Sequence, residues 1–266
     1  MDEVIIALED IRKEYDSEIN NGGIILGEAW LDKAKAKLKK CLIAARITRK
    51  VIATAAQEQI KLIVTIFSPI FTNSEQQKID KENLDLLKII IQNKISIYSL
   101  TGDWLIEEKG GFDYLLKLLD FKYSSKIAFN DEPIKTYGRI GERKKKFSYI
   151  DLLKLLQQHF DSEIRYLGYN QLQIQRIAIV TEITNIEDVY SLHNNSKIDV
   201  TLVGDISYEG LLVAKFFKLP LVILGRRNLE NIVIGNISRR LMEEITITLP
   251  EIVLFKQDEI GTVVDD

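Results

Sequence analysis

The chain alternates short, almost unbroken apolar runs with segments whose apolar positions recur at helical spacing. The clearest unit spans residues 198–230. There IDVTLVGD, SYEGLLVAKFFK and LPLVILG read as strand, helix and strand. Leu211, Leu212, Phe216 and Phe217 are expected on one side of that helix. Apolar strands flanking a helix predict a parallel sheet covered on both faces. Chemistry in such a sheet sits beyond the carboxyl ends of the strands. Those ends are Gly204-Asp205 and Gly225-Arg226-Arg227.

The same reading extends along the chain. Val4, Ile5, Leu8, Ile11 and Tyr15 give a helical stripe over residues 2–16, followed by a turn-rich stretch from Glu18 to Gly23. CLIAARI (41–47), IKLIVTIFSPIF (60–71, ended by Pro69) and ISIYSLT (95–101) read as strands. Between them lie a helix with Thr48 as N-cap and an amphipathic helix over 81–94. Residues 41–101 therefore form a β-α-β-α-β layer. A helix is expected over 110–120. Residues 125–147 read as turn-rich, with the run Arg143-Lys144-Lys145-Lys146 as a solvated loop or, more sharply, a nucleic-acid contact. No aromatic interleaving supports the second reading. Ser148 caps a helix over 148–160, with Asp151 three residues on. EIRYLGY and IQRIAIVTEI are strands, NIEDVYSLHNN and NIVIGNISRRLMEEI (231–245) helices, and EIVLFK (251–256) a last strand.

The fold class is thus α/β: two related halves, 1–125 and 175–266, around a smaller inserted α+β segment, 126–174. Composition adds limits. Of 266 residues, 46% are hydrophobic and 28% charged, with a net charge of -3, which argues against a strongly basic nucleic-acid surface. No apolar run reaches the ~20 residues of a membrane span. The acidic, amphipathic N-terminus lacks the basic start of a signal peptide. With Cys41 as the single cysteine, a cytoplasmic location is expected. The richness in isoleucine, lysine and glutamate leans towards a thermophilic source. There are two histidines, His159 and His193, and each reads as a structural residue on or at the end of a helix.

Six weak motifs in order resemble a known family, the Nif-three-like proteins, also labelled "GTP cyclohydrolase 1 type 2". Residues 20–27, NNGGIILG, are similar to its N-terminal element. Phe67-Ser68-Pro69 stands where the family has His-His-Pro. Residues 98–103, YSLTGD, precede the pair Gly110-Gly111. Tyr137-Gly138-Arg139-Ile140-Gly141 resembles the Gly-x-Gly-Arg-x-Gly pattern. Residues 203–209, VGDISYE, resemble Thr-Gly-Asp-x-x-x-His, and 225–230, GRRNLE, resemble Gly-His-x-x-x-Glu. The resemblance covers nearly the whole chain. It implies a Nif-three-like fold, a dinuclear-metal hydrolase ancestry, and assembly as a ring hexamer.

The departures fall on the metal ligands that the resemblance implies. Phe67 and Ser68 replace the histidine pair, Leu105 the aspartate, Arg226 the last histidine and Glu209 another histidine; Glu230 alone survives. Phenylalanine and leucine cannot bind a metal, and arginine stays protonated. The chain is therefore expected to hold no cofactor and to act as a scaffold or a binder of a partner or ligand. Whether it is an enzyme stays open. Arg226 and Glu230 are four apart and pair if a helix begins there. Arg226 and Arg227 form either a surface ion-pair network or a site for a small anion such as phosphate or carboxylate. Asp205 is either a helix cap or an acid/base group, Asp103 either a turn former or a site residue. Ser68 lacks a base. The alternative is a hydrolase with a reduced site, in which Glu230, Glu209, Asp205 and Asp103 hold a single divalent cation through oxygens.

Overall fold

A computed structural model describes residues 3–13, 22–33, 38–66, 81–100, 104–128, 136–160, 164–194, 197–245 and 250–256. It divides into two compact units, residues 1–104 with 233–266, and residues 105–232.

In the first unit, β2 (Lys40–Ala44), β3 (Leu62–Thr65) and β4 (Ser96–Ser99) lie parallel, with Cys41 opposite Leu62 and Leu62 opposite Ser96. Every residue of β3 and β4 is buried, which explains why these strands read as unbroken apolar runs. β11 (Glu251–Phe255) joins β2 in parallel at one edge, and β1 (Gly23–Leu26) joins β4 antiparallel at the other. The sheet order is β1-β4-β3-β2-β11. Helices α1 (Glu3–Lys13), α2 (Glu28–Lys33), α3 (Arg49–Gln57) and α4 (Lys81–Asn93) belong to this unit. Val51, Ile52 and Ala55 of α3 and Ile90 of α4 pack on Leu42, Ile63 and Ile97. Thr48 caps α3 as expected, its hydroxyl accepting from the Val51 amide. β1 has no counterpart in the sequence reading. Its four residues follow a turn signal, and Gly27 after it needs φ +81, where a Cβ would collide with the Trp30 ring.

Tyr98 is buried in β4, and its hydroxyl donates to Glu9 Oε1 of α1 at 2.9 Å. Arg12 holds the other oxygen of Glu9 at 2.6 Å. Burial, and then the Glu9 carboxylate, push the Tyr98 pKa well above its ordinary value. The Glu9 hydrogen bond raises that of Arg12.

The second unit is a six-stranded sheet, β5-β6-β8-β9-β10-β7, of which β5 is Lys122–Ala128, β6 Thr136–Ser148, β7 Arg165–Leu167, β8 Gln173–Ile183, β9 Val200–Ile206 and β10 Leu221–Ile223. β8, β9 and β10 are parallel; β5, β6 and β7 run antiparallel to their neighbours. One face packs Phe112 and Leu115 of α5 (Gly111–Leu118) and Leu152 and Leu156 of α6 (Tyr149–His159) on Ile177, Ile179 and Leu202. The other packs Val189 and Leu192 of α7 (Ile186–Asn194) and Ala214 of α8 (Tyr208–Phe216) on Val180, Val203 and Leu221. Ser148 caps α6, accepting from the Asp151 amide at 3.1 Å. The Tyr149 hydroxyl lies between the carbonyls of Leu167 and Leu221, which pair across β7 and β10. Burial raises its pKa.

Several expectations change here. Residues 126–174 fall in the second unit, and β6 and β7 are integral strands of its sheet. The basic run is no loop. Residues 143–146 lie within β6 and bulge between the pairs Glu142–Arg176 and Phe147–Ile174. Arg143 sits over the Phe147 ring at 4.5 Å and bonds Asp120 at 2.8 Å. Leu212 and Phe216 of α8 point outward. α9 spans Arg226–Glu244 and so begins directly after Gly225 rather than at 231.

Candidate functional site

The parallel strands β8, β9 and β10 deliver their carboxyl ends side by side, as the opening β-α-β unit predicts for the last two. Glu182 of β8 pairs in register with Asp205 of β9. Neighbouring strands lie about 4.8 Å apart, so two carboxylates share one rim. Gly204 makes the close approach possible. A Cβ there would collide with the Thr181 carbonyl and lie 2.6 Å from Leu229 Cδ1.

After β10 the chain turns at Gly225, with φ +83, and α9 starts at Arg226. This places Arg226 against both β8 and its own helix. Its Nε lies 3.6 Å from Glu230 Oε1 and its Nη1 4.0 Å from Glu182 Oε2. The Arg226 side chain is 63% exposed while that of Glu230 is only 6% exposed. A guanidinium at the rim thus faces a carboxylate beneath it. Asn228 fixes the turn by donating to the Leu224 carbonyl at 2.6 Å. Arg227 is partly buried in the same helical turn.

The predicted site residues therefore separate. Arg226 and Glu230 come together as expected. Asp205 stays exposed at the end of β9, its Oδ1 accepting from the Ile206 amide. It is not the cap of α8; that is Ser207, which accepts from the Gly210 amide at 3.1 Å. Glu209 is exposed in the first turn of α8. Ser68 and Asp103 lie outside the described residues. Glu182 is the residue that sequence reasoning missed. Its signal was the register of β8 with β9, which no local motif carries. Among the described residues, no group of three or more His, Cys, Asp or Glu side chains is placed to hold a metal ion.

The arginine of the middle glycine motif is an internal strut. Arg139 is fully buried, and its Nε donates to Asp113 Oδ1 at 3.1 Å. Asp113 in turn accepts from the Lys109 amide at 2.8 Å, just before α5. Of the two histidines, His193 stacks on Phe217 at 4.4 Å, and His159 ends α6.

The family model described as Duf34/NIF3 (NGG1p interacting factor 3) matches residues 1–259. A "GTP cyclohydrolase 1 type 2 homolog" of Clostridium perfringens is 26% identical over 252 residues, covering 92% of each chain. Among solved structures, Staphylococcus aureus hypothetical protein SA1388 is similar with a TM-score of 0.73 and 17% identity, covering 98% of both chains. Reduced HcgD from Methanocaldococcus jannaschii is similar with a TM-score of 0.69 and 20% identity, covering 96% of this chain and 97% of that one. No helix among the described residues is long and apolar enough to cross a membrane.

Proposed function

The chain belongs to the Duf34/NIF3 family, and from that premise we propose that it is a metal-free member serving as a scaffold and binding protein, with Arg226 supplying positive charge at the strand ends. The observation that carries this reading is the Arg226–Glu230 pair. The surviving carboxylate of the implied ligand set is engaged by a guanidinium, which stays protonated and repels a cation. Residues Phe67, Leu105 and Arg226 offer no donors, so the chain does not fit a dinuclear centre. Assembly into a homo-oligomer, a ring of six by resemblance, is part of the same proposal. So is a protein partner or a small anionic ligand, which would draw Arg226 away from Glu182 with Arg227 as second cation.

The alternative is a metal-dependent hydrolase with a reduced carboxylate site. The register of Glu182 with Asp205 favours it, since hard cations take oxygen ligands at about 2.0–2.6 Å. Calorimetric titration with Mg²⁺ or Mn²⁺ separates the two. The scaffold reading expects no stoichiometric site. A site of one cation per chain that disappears in Glu230→Gln moves the enzyme reading into first place.

A further inference from the structure

Helix α8 is apolar on two sides. Ala214, with the half-buried Leu211 and Val213, packs against the sheet. The opposite side carries Tyr208, Leu212 and Phe216, spaced i, i+4, i+8 and 70%, 49% and 80% exposed. Exposed Tyr190 of α7 extends the patch through Phe217, whose ring lies 5.3 Å from those of both Tyr190 and Phe216. The outer face of a soluble helix is normally polar. A contiguous apolar row marks an interaction site, where single exposed residues do not.

We propose that this row joins two copies of the chain, α8 packing antiparallel on α8 of a second copy about a two-fold axis at Leu212. The row itself is palindromic. Tyr208 and Phe216 each stand four residues from Leu212, so an antiparallel pair sets Tyr208 level with the partner's Phe216. A two-fold contact demands such a self-complementary patch.

Charge selects the same arrangement. Glu209 and Lys215 stand three residues on either side of Leu212. The acidic first turn of one helix comes level with the basic last turn of the other. A parallel pairing would bring like charges level instead. Antiparallel helix dipoles add to the preference.

The area is adequate for the apolar centre of an interface. At about 200 Å² per aromatic side chain, Tyr208, Phe216 and Tyr190 leave on the order of 400 Å² uncovered. A standard interface buries roughly 800 Å² per partner, with a polar rim around its apolar core.

This inference rests on the proposal that copies associate, and its test separates the two. Sedimentation equilibrium is run on the full chain as wild type, Leu212→Glu, Leu212→Lys and an equimolar mixture of the two variants. Leu212 meets its own copy on the axis. Each variant alone is therefore expected to lose one two-fold contact, halving the assembled mass, and the mixture to restore it through opposite charges. Phe216→Ser, which adds no charge on a surface residue, is expected to weaken association at least tenfold. Wild type monomeric at about 100 μM, a weaker affinity than stable dimers show, would overturn the assembly proposal together with this interface. An assembled wild type whose mass Leu212→Glu leaves unchanged, or a mixture that stays dissociated, would overturn the interface alone.

Discussion

Arg226 Nε lies 3.6 Å from Glu230 Oε1, one helical turn on, with the carboxylate buried and the guanidinium at the surface. The pair forms the first turn of α9. Removing Arg226 leaves Glu230 with less compensation in a low-dielectric position. Arg226→Ala is expected to lose about 0.5–1 kcal/mol of unfolding free energy, the guanidinium being largely solvent-screened. Glu230→Gln in the same background is expected to recover part of it. A double-mutant cycle by urea unfolding checks this, a coupling near zero being the contrary result.

The Tyr98–Glu9 hydrogen bond ties β4 to α1. Tyr98→Phe is expected to cost about 1.5–3 kcal/mol at neutral pH, because the acceptor is charged. The sign with pH follows from the raised tyrosine pKa. Folded Tyr98 holds its proton more tightly than the unfolded chain, so its contribution is intact below the ordinary value of 10.0 and is lost as pH rises beyond it. The difference between wild type and Tyr98→Phe, followed by denaturant unfolding from pH 7 to 11, is expected to shrink above about pH 10.

Gly204→Ala tests the close approach of β8, β9 and α9. The added methyl meets the Thr181 carbonyl, which belongs to a strand and cannot step aside. A loss of about 1–3 kcal/mol or more is expected from overpacking, read from the shift in denaturation midpoint. A stability equal to wild type would contradict the packing described.

Ser148→Ala removes the acceptor for the Asp151 amide at the start of α6. A loss of about 1 kcal/mol is expected, and Ser148→Thr, which keeps both the acceptor and the hydroxyl that donates to Asp151 Oδ2 at 2.6 Å, is expected to restore most of it. Thermal unfolding of the three proteins checks the order.

The parallel strands β2, β3, β4, β8 and β9 were legible because they are buried on both faces and read as continuous apolar runs. Caps at Thr48 and Ser148 were legible because capping is local chemistry. Other elements were hidden for equally physical reasons. The first turn of α9, RRNLE, is mostly polar, so the apolar spacing begins a turn late. β6 carries its basic run in a bulge, and charge there masks the strand period. α8 is apolar around most of its circumference, so its pattern does not say which side faces the sheet; the expected apolar side divides, Leu211 packing on the sheet while Leu212 and Phe216 face outward. Glu182 enters the site through register between strands, a relation no single stretch of sequence records. Arg226 and Glu230 were legible as a pair because four residues is one helical turn.

The most direct measurement is elemental analysis of the protein purified without chelator. The account predicts no stoichiometric transition metal or Mg²⁺, in wild type and in Glu230→Gln alike. One or more metal ions per chain, lost in Glu230→Gln, would contradict it and show that Glu230 serves a metal rather than Arg226.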